Sequence, residues 1–84
     1  MIITTITISK LEGLHMRPTM LLHKHLEKAR CNVTFIKDGS RYNGKELLSL
    51  LSMGAVYGDR IMLEIEGEEE IKVEKTIVDF LCAE

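Results

Sequence analysis

The sequence predicts an α+β fold: a four-stranded, mainly antiparallel sheet with three helices on one face, an open-faced β-sandwich in the order βαββαβα. Three observations predict it. The segments "IITTITIS" and "RIMLEIEG" alternate apolar and polar residues with the period of a strand. "NVTFIK" and "SRYN" flank Asp38-Gly39, a strong two-residue hairpin signal. Between these pieces lie stretches whose apolar residues recur every three or four positions, the period of an amphipathic helix.

In order along the chain, the first strand covers about residues 2 to 8, with Ile2, Thr4, Ile6 and Ile8 on one face and Ile3, Thr5 and Thr7 on the other. A helix is expected from Met16 to about Ala29, its buried stripe formed by Thr19, Leu22, Leu26 and Ala29. The hairpin fits residues 32 to 43. "GKELLSLLSMG" is a short apolar helix stopped by Gly54, because glycine takes the left-handed conformation that ends helices at little cost. Asn43 and Glu46 have the spacing of a capping box at its start. The next strand turns Ile61, Leu63 and Ile65 inward and Met62, Glu64 and Glu66 outward. The last helix is expected to carry Ile71, Glu74, Val78 and Leu81 with Ile77 on one stripe, with three acids near its start where the helix dipole favours negative charge.

Composition narrows the function classes. Eighty-four residues provide for one domain, residues 1–84, and 45% hydrophobic with 29% charged residues is the composition of a folded globular protein. The net charge is −2, with 11 basic and 13 acidic residues intermingled, so no basic stripe is present to neutralise a nucleic-acid backbone. Cys31 and Cys82 lie far apart with no metal-ligand spacing, so reduced, buried thiols are expected and no metal site. His23 and His25 point to nearly opposite sides of their helix, and His15 lies about 12 Å of helix rise from His23, so the three cannot share one ion. "MIITTITISK" lacks the charged and apolar regions of a signal peptide, and no stretch approaches the roughly 18 apolar residues of a membrane span. A cytoplasmic protein with no membrane insertion is expected.

The chemistry concentrates in "GLHMRPTM", Gly13 to Met20. Pro18 has no N–H to donate, and the first turn of a helix is where that loss breaks no intrahelical bond, so Pro18 marks a helix start. His15 directly before that start faces free amides and the positive end of the helix dipole. Arg17 adds a planar, permanently charged fork suited to phosphate oxygens, and Gly13 permits a close backbone approach. Imidazole is largely neutral near pH 7 and keeps a lone pair free, so the segment describes a nucleophile in an anion cradle built at Met16, Arg17 and Pro18. From residue types alone a plainer reading is also open, in which His15 caps the helix and Arg17 is a solvated surface charge.

The order of those residues resembles the active-site segment GLHxRP of HPr, the histidine-containing phosphocarrier family of the bacterial phosphoenolpyruvate sugar phosphotransferase system. The resemblance extends over essentially the whole chain, with "NGKELLSLLSMGA" in the place of the family's second-helix segment. It implies that His15 takes a phosphoryl group on Nδ1 from Enzyme I, itself charged by phosphoenolpyruvate, and passes it to the IIA components of sugar permeases. Arg17 would be the charge partner. The protein would be a relay intermediate rather than a stand-alone enzyme, with no cofactor of its own, and is expected to be a monomer.

Met16, Met20, Leu47, Leu48 and Leu51 exceed what the helices can bury, and the surplus would form an apolar docking patch in which flexible methionines adapt to several partners. Two departures from the family stand out. Glu46 occupies the position where many members carry a serine phosphorylated in regulation, so no hydroxyl is available there. Met16 and Thr19 are larger than the small residues often found at their positions. Two further readings stay open at this level: a regulatory paralogue that mainly controls partner proteins, and a small ligand- or RNA-binding sandwich with a chance motif, against which acidic charge and the lack of an aromatic stacking row both weigh.

Overall fold

The computed structural model describes residues 1–9 and 16–82, the first three of α1 by their backbone alone. The elements are β1 (Ile2–Thr7), α1 (Met16–Leu26), β2 (Cys31–Lys37), β3 (Ser40–Asn43), α2 (Leu47–Met53), β4 (Arg60–Gly67) and α3 (Glu70–Leu81). The strands form one sheet in the order β1-β4-β2-β3, every neighbour antiparallel. This is the expected βαββαβα sandwich, with the sheet fully rather than mainly antiparallel.

Register follows from the pleat. Ile6 lies opposite Ile61 and Ile2 opposite Ile65 across β1–β4, while Val33 faces Ile65 and Phe35 faces Leu63 across β2–β4. A slip by one residue would turn each of these side chains to the other face. The hairpin closes through Asp38 (φ 51°) and Gly39 (φ 81°), the two successive left-handed residues of a type I′ turn, whose twist matches that of the strands.

All three helices lie on the apolar face of the sheet. Leu22 and Leu26 of α1, Leu50 and Met53 of α2, and Val73, Ile77 and Leu81 of α3 join Val33, Phe35, Ile61, Leu63 and Ile65 in a single core. On the opposite face Ile3, Thr5, Asn32, Met62 and Glu66 are exposed. Beyond β1 the chain is held by three backbone bonds: Ile8 N–H to Asp59 O, Gly58 N–H to Ile8 O, and Ser9 N–H to Leu81 O. They anchor the chain on the near side of the His15 segment.

Two expectations shift. The first helix ends at Leu26 rather than Ala29, because Ala29 N–H turns tightly back to Leu26 O and the Ala29 carbonyl is taken by Lys45 Nζ at 2.6 Å. The stripe of the last helix is only partly as expected: Ile77 and Leu81 are buried, but Val73 joins them in place of Ile71, which is 79% exposed. The true stripe contains no charged residue, whereas the expected one required Glu74 to face the core.

Of the three acids expected at the start of α3, only Glu70 lies in its first turn. Glu70 Oε2 accepts the Gly67 N–H at 2.8 Å and pairs with the Met1 ammonium at 3.3 Å. Gly67 (φ 133°) could not be replaced cheaply, since a Cβ there would meet Arg30 O and Cys31 Cα at 2.8 Å.

The phase of α3 predicts that Ile77→Ala lowers unfolding stability in urea by about 2–5 kcal/mol, while Ile71→Ala stays within about 0.5 kcal/mol of the parent. For Glu70, the Gly67 N–H and the nearby Met1 ammonium hold the carboxyl below its ordinary value of 4.5. A depressed carboxyl contributes stability that is present above the ordinary value and lost as pH falls through the folded value. Melting temperatures of the parent and Glu70→Gln should therefore differ most above the carboxylate range and converge on acidification; a constant gap at every pH would contradict the role of the charge.

Candidate functional site

The helix that follows the motif begins at Met16, with Pro18 as its third residue, so the backbone places the proline in the first turn as its missing N–H requires. His15 lies outside the described residues, as do the side chains of Met16, Arg17 and Pro18. What is described is the frame that holds this helix start. Thr19, Leu22 and Leu26 are buried and fasten α1 to the sheet. Thr19 Oγ1 is buried with no hydrogen-bond partner among the described residues.

The five apolar docking candidates divide by exposure. Met20 is 51% exposed and Leu48 77%, with Leu21, which the sequence reading passed over, close to Met20 in exposure. Leu47 and Leu51 are half-buried, while Leu50 and Met53 carry the packing of α2. Leu48 is therefore the outermost apolar side chain of α2 in this group, and Leu47 divides its surface between core and solvent. Met16 lies among the residues described by backbone alone.

The capping box at α2 is not formed. Glu46 is itself the N-cap residue, in an extended conformation, and its side chain caps no helix amide. Its carboxylate accepts the Ser49 hydroxyl at 3.3 Å. Asn43 instead closes the turn before the helix: Asn43 Oδ1 accepts the Lys45 N–H at 2.9 Å and the Asn43 carbonyl accepts the Glu46 N–H at 3.1 Å. The helix starts at Leu47, later than a box from Asn43 requires, so Asn43 adopts the side-chain-to-backbone turn that asparagine favours two residues ahead. Gly54 (φ 58°) ends α2 as expected, and Lys37 Nζ takes the Met53 carbonyl at 3.1 Å.

Of the other histidines, His23 is half-buried and His25 is exposed. His23 Nε2 lies 3.2 Å from the Lys45 carbonyl and 4.0 Å from Glu27 Oε2, and the His25 ring packs against Phe80 with centroids 5.4 Å apart. Among the described residues no group of His, Cys, Asp or Glu is placed to hold a metal ion. Both cysteines are free; burial pushes the Cys31 thiol above its ordinary value, and the Cys82 thiol donates to the Thr7 carbonyl at 3.4 Å. Cys82 is half-buried rather than buried. No helix among the described residues is long and apolar enough to cross a membrane.

Lys45 is the residue that sequence reasoning missed. It binds three ways, through its N–H, its carbonyl and its ammonium, to β3, α1 and the turn after α1. The Asn-x-Lys spacing after a strand was the available signal, since an asparagine there points to a turn.

Known proteins place this frame. Residues 2–83 match the family model described as the PTS HPr component phosphorylation site. The chain is 33% identical over 67 residues to the phosphocarrier protein HPr of Buchnera aphidicola from Acyrthosiphon pisum, covering 80% of this chain and 79% of that protein. A second Buchnera HPr, from Baizongia pistaciae, is 32% identical over 76 residues, covering 90% and 89%. Among solved structures, HPr-C-His of Thermoanaerobacter tengcongensis superposes with a TM-score of 0.88 at 31% identity, over 96% of this chain and 91% of that one. With the sandwich shared and the family model spanning nearly the full sequence, the chain belongs to the HPr family of phosphocarrier proteins.

Proposed function

We propose that this protein accepts a phosphoryl group from phosphorylated Enzyme I on His15 and passes it to IIA components of sugar permeases, within the phosphoenolpyruvate-dependent sugar phosphotransferase system. The observation that carries the reading is the GLHMRP segment at the start of α1 in a chain matched by the HPr family model from residue 2 to residue 83. The His15 lone pair attacks phosphorus; the bond from phosphorus to the donor atom of Enzyme I breaks as the bond to His15 Nδ1 forms, and the donor atom keeps the electron pair. The reverse exchange with a IIA acceptor returns His15 to its starting state.

The chain's own part is electrostatic. Free amides at the start of α1 and the Arg17 guanidinium oppose the negative charge on the phosphoryl oxygens. The phosphoryl group is cargo and no cofactor takes part. Docking uses Met16, Met20, Leu47, Leu48 and Leu51 around the nucleophile. In this reading the protein works as a monomer in the cytoplasm, between two partners that supply the rest of each active site.

Incubation with phosphoenolpyruvate and Enzyme I should give an acid-labile, base-stable phosphate on His15, read by mass spectrometry. His15→Ala should abolish acceptance and leave the circular dichroism native, and Arg17→Ala should slow transfer on the order of 10- to 100-fold, the effect of losing a hydrogen bond to a charged group. Acceptance by His15→Ala at the parental rate would refute the assignment.

Exposure selects the cleanest test of docking. Leu48→Glu should change unfolding stability by no more than about 0.5 kcal/mol and weaken transfer from Enzyme I by roughly tenfold or more, as expected of an interface anchor. Leu47→Glu, half-buried, should lose stability as well. Parental transfer kinetics for Leu48→Glu would place docking elsewhere.

A further inference from the structure

The link between α1 and α2 is built from two hydrogen bonds that run in opposite directions. A side chain of α1, His23, reaches the backbone just before α2: its Nε2 lies 3.2 Å from the Lys45 carbonyl. A carbonyl can only accept, so the proton resides on Nε2. Lys45 replies from the α2 side, its ammonium donating to the Ala29 carbonyl beyond the end of α1 at 2.6 Å. The peptide that receives His23 ends in the Glu46 N–H, which donates to the Asn43 carbonyl at 3.1 Å, so it is held at both ends, and the Lys45 N–H of the preceding peptide is held by Asn43 Oδ1 at 2.9 Å.

These bonds sit beside the exposed apolar residues of both helices. Met20 is one turn before His23 on α1, and Leu47 and Leu48 follow Lys45 by two and three residues. The side chain of His23 is only 21% exposed, so the bond is partly shielded from competing water. Leu22 and Leu26 fix α1 against the sheet and Leu50 and Met53 fix α2, the Gly44 N–H ties the segment before α2 to the Val33 carbonyl of β2 at 2.7 Å, and the His23–Lys45–Ala29 bonds join that segment to α1.

The geometry points to His23 as a positioning residue, which with Lys45 clamps the start of α2 to α1 and so sets the spacing between the helix bearing His15 and the exposed Leu48. The inference rests on the carrier reading and adds to it a residue about two turns along α1 from His15. A clamp of this kind acts on recognition of a protein partner and not on the transfer step itself, because His23 is too far along α1 to touch a phosphoryl group on His15.

The test measures Enzyme I-dependent phosphorylation against carrier concentration, together with direct phosphorylation of His15 by phosphoramidate, a small donor that needs no docking surface. His23→Met, which keeps length and helix preference but has no donor, should raise KM roughly 3- to 10-fold, the loss of one hydrogen bond, with kcat and the phosphoramidate rate unchanged. His23→Gln, which retains a neutral N–H donor of similar reach, should restore the parental KM. Lys45→Met should raise KM similarly, and the double variant should fall short of the product of the two single effects, as expected for one shared element. Lys45→Met also carries the test if His23→Met does not fold. A parental KM in the folded Met variants, or a Gln variant as impaired as Met, overturns the clamp. Parental protein that takes no phosphate on His15 from either donor overturns the carrier reading instead.

Discussion

The apolar face of β4 is the constraint on which the rest depends. Ile61, Leu63 and Ile65 lie between β1 on one side and β2 on the other, and all three are completely buried. Because β4 pairs with both neighbours, its register sets theirs, and the helices can rest only on the face it turns inward. At roughly 25 cal/mol per Å² of apolar surface, burying side chains of this size contributes about 1.5–3 kcal/mol each. In a small chain a few such residues are a large share of the net stability. The helices therefore need little apolar surface of their own. A narrow stripe on each suffices, and the remaining faces are free to carry chemistry and recognition.

That economy shows in how the helix ends are treated. The last carbonyls of α2 and of the turn after α1 have no intrahelical donors, and lysines from elsewhere in the chain fill the gap. Lys37 at the end of β2 donates to Met53 O and lies 3.6 Å from Asp59, and Lys45 donates to Ala29 O. Each is a long side chain that lays its methylenes along apolar surface and delivers a charged donor to a backbone acceptor. The start of α1 is treated in the opposite way. Helix geometry gives its first amides no intrahelical acceptor, Pro18 in the first turn has no N–H to lose, and the position directly before the helix in the sequence is His15.

Most of the fold was legible in the sequence because strand periodicity and turn chemistry are local. β1 alternates throughout and β4 from Arg60 to Glu66, and Asp38-Gly39 takes the left-handed pair that its hairpin demands. Helix phase was less legible. In α3 both Ile71 and Val73 are aliphatic, and choosing between them requires knowing how the helix enters from Glu69, its N-cap residue at φ 64°. The capping box failed for a related reason, since Asn43 had two backbone donors within reach and the turn before α2 satisfied it first. At the candidate site, the motif was readable as residue types at fixed spacing. The His23–Lys45–Ala29 link was not, because its members are 22 and 16 residues apart and meet only in three dimensions.

Glu46 shows how one position can carry structural and electrostatic roles together. A carboxylate at the N-cap of α2 meets the positive end of that helix, and acceptance of the Ser49 hydroxyl draws it along the helix surface rather than onto a backbone amide. Its charge is thus left facing solvent within a few residues of Leu48, the most exposed apolar residue of the same helix. A single charge there is smaller than the ≈ −1.5 to −2 of a phosphoserine, and in water it is screened within about a Debye length, near 8 Å at physiological salt. It acts over the exposed surface around the start of α2 and little beyond it. Its field therefore falls on groups that touch α2 directly, where it favours a neutral or basic contacting surface over an acidic one.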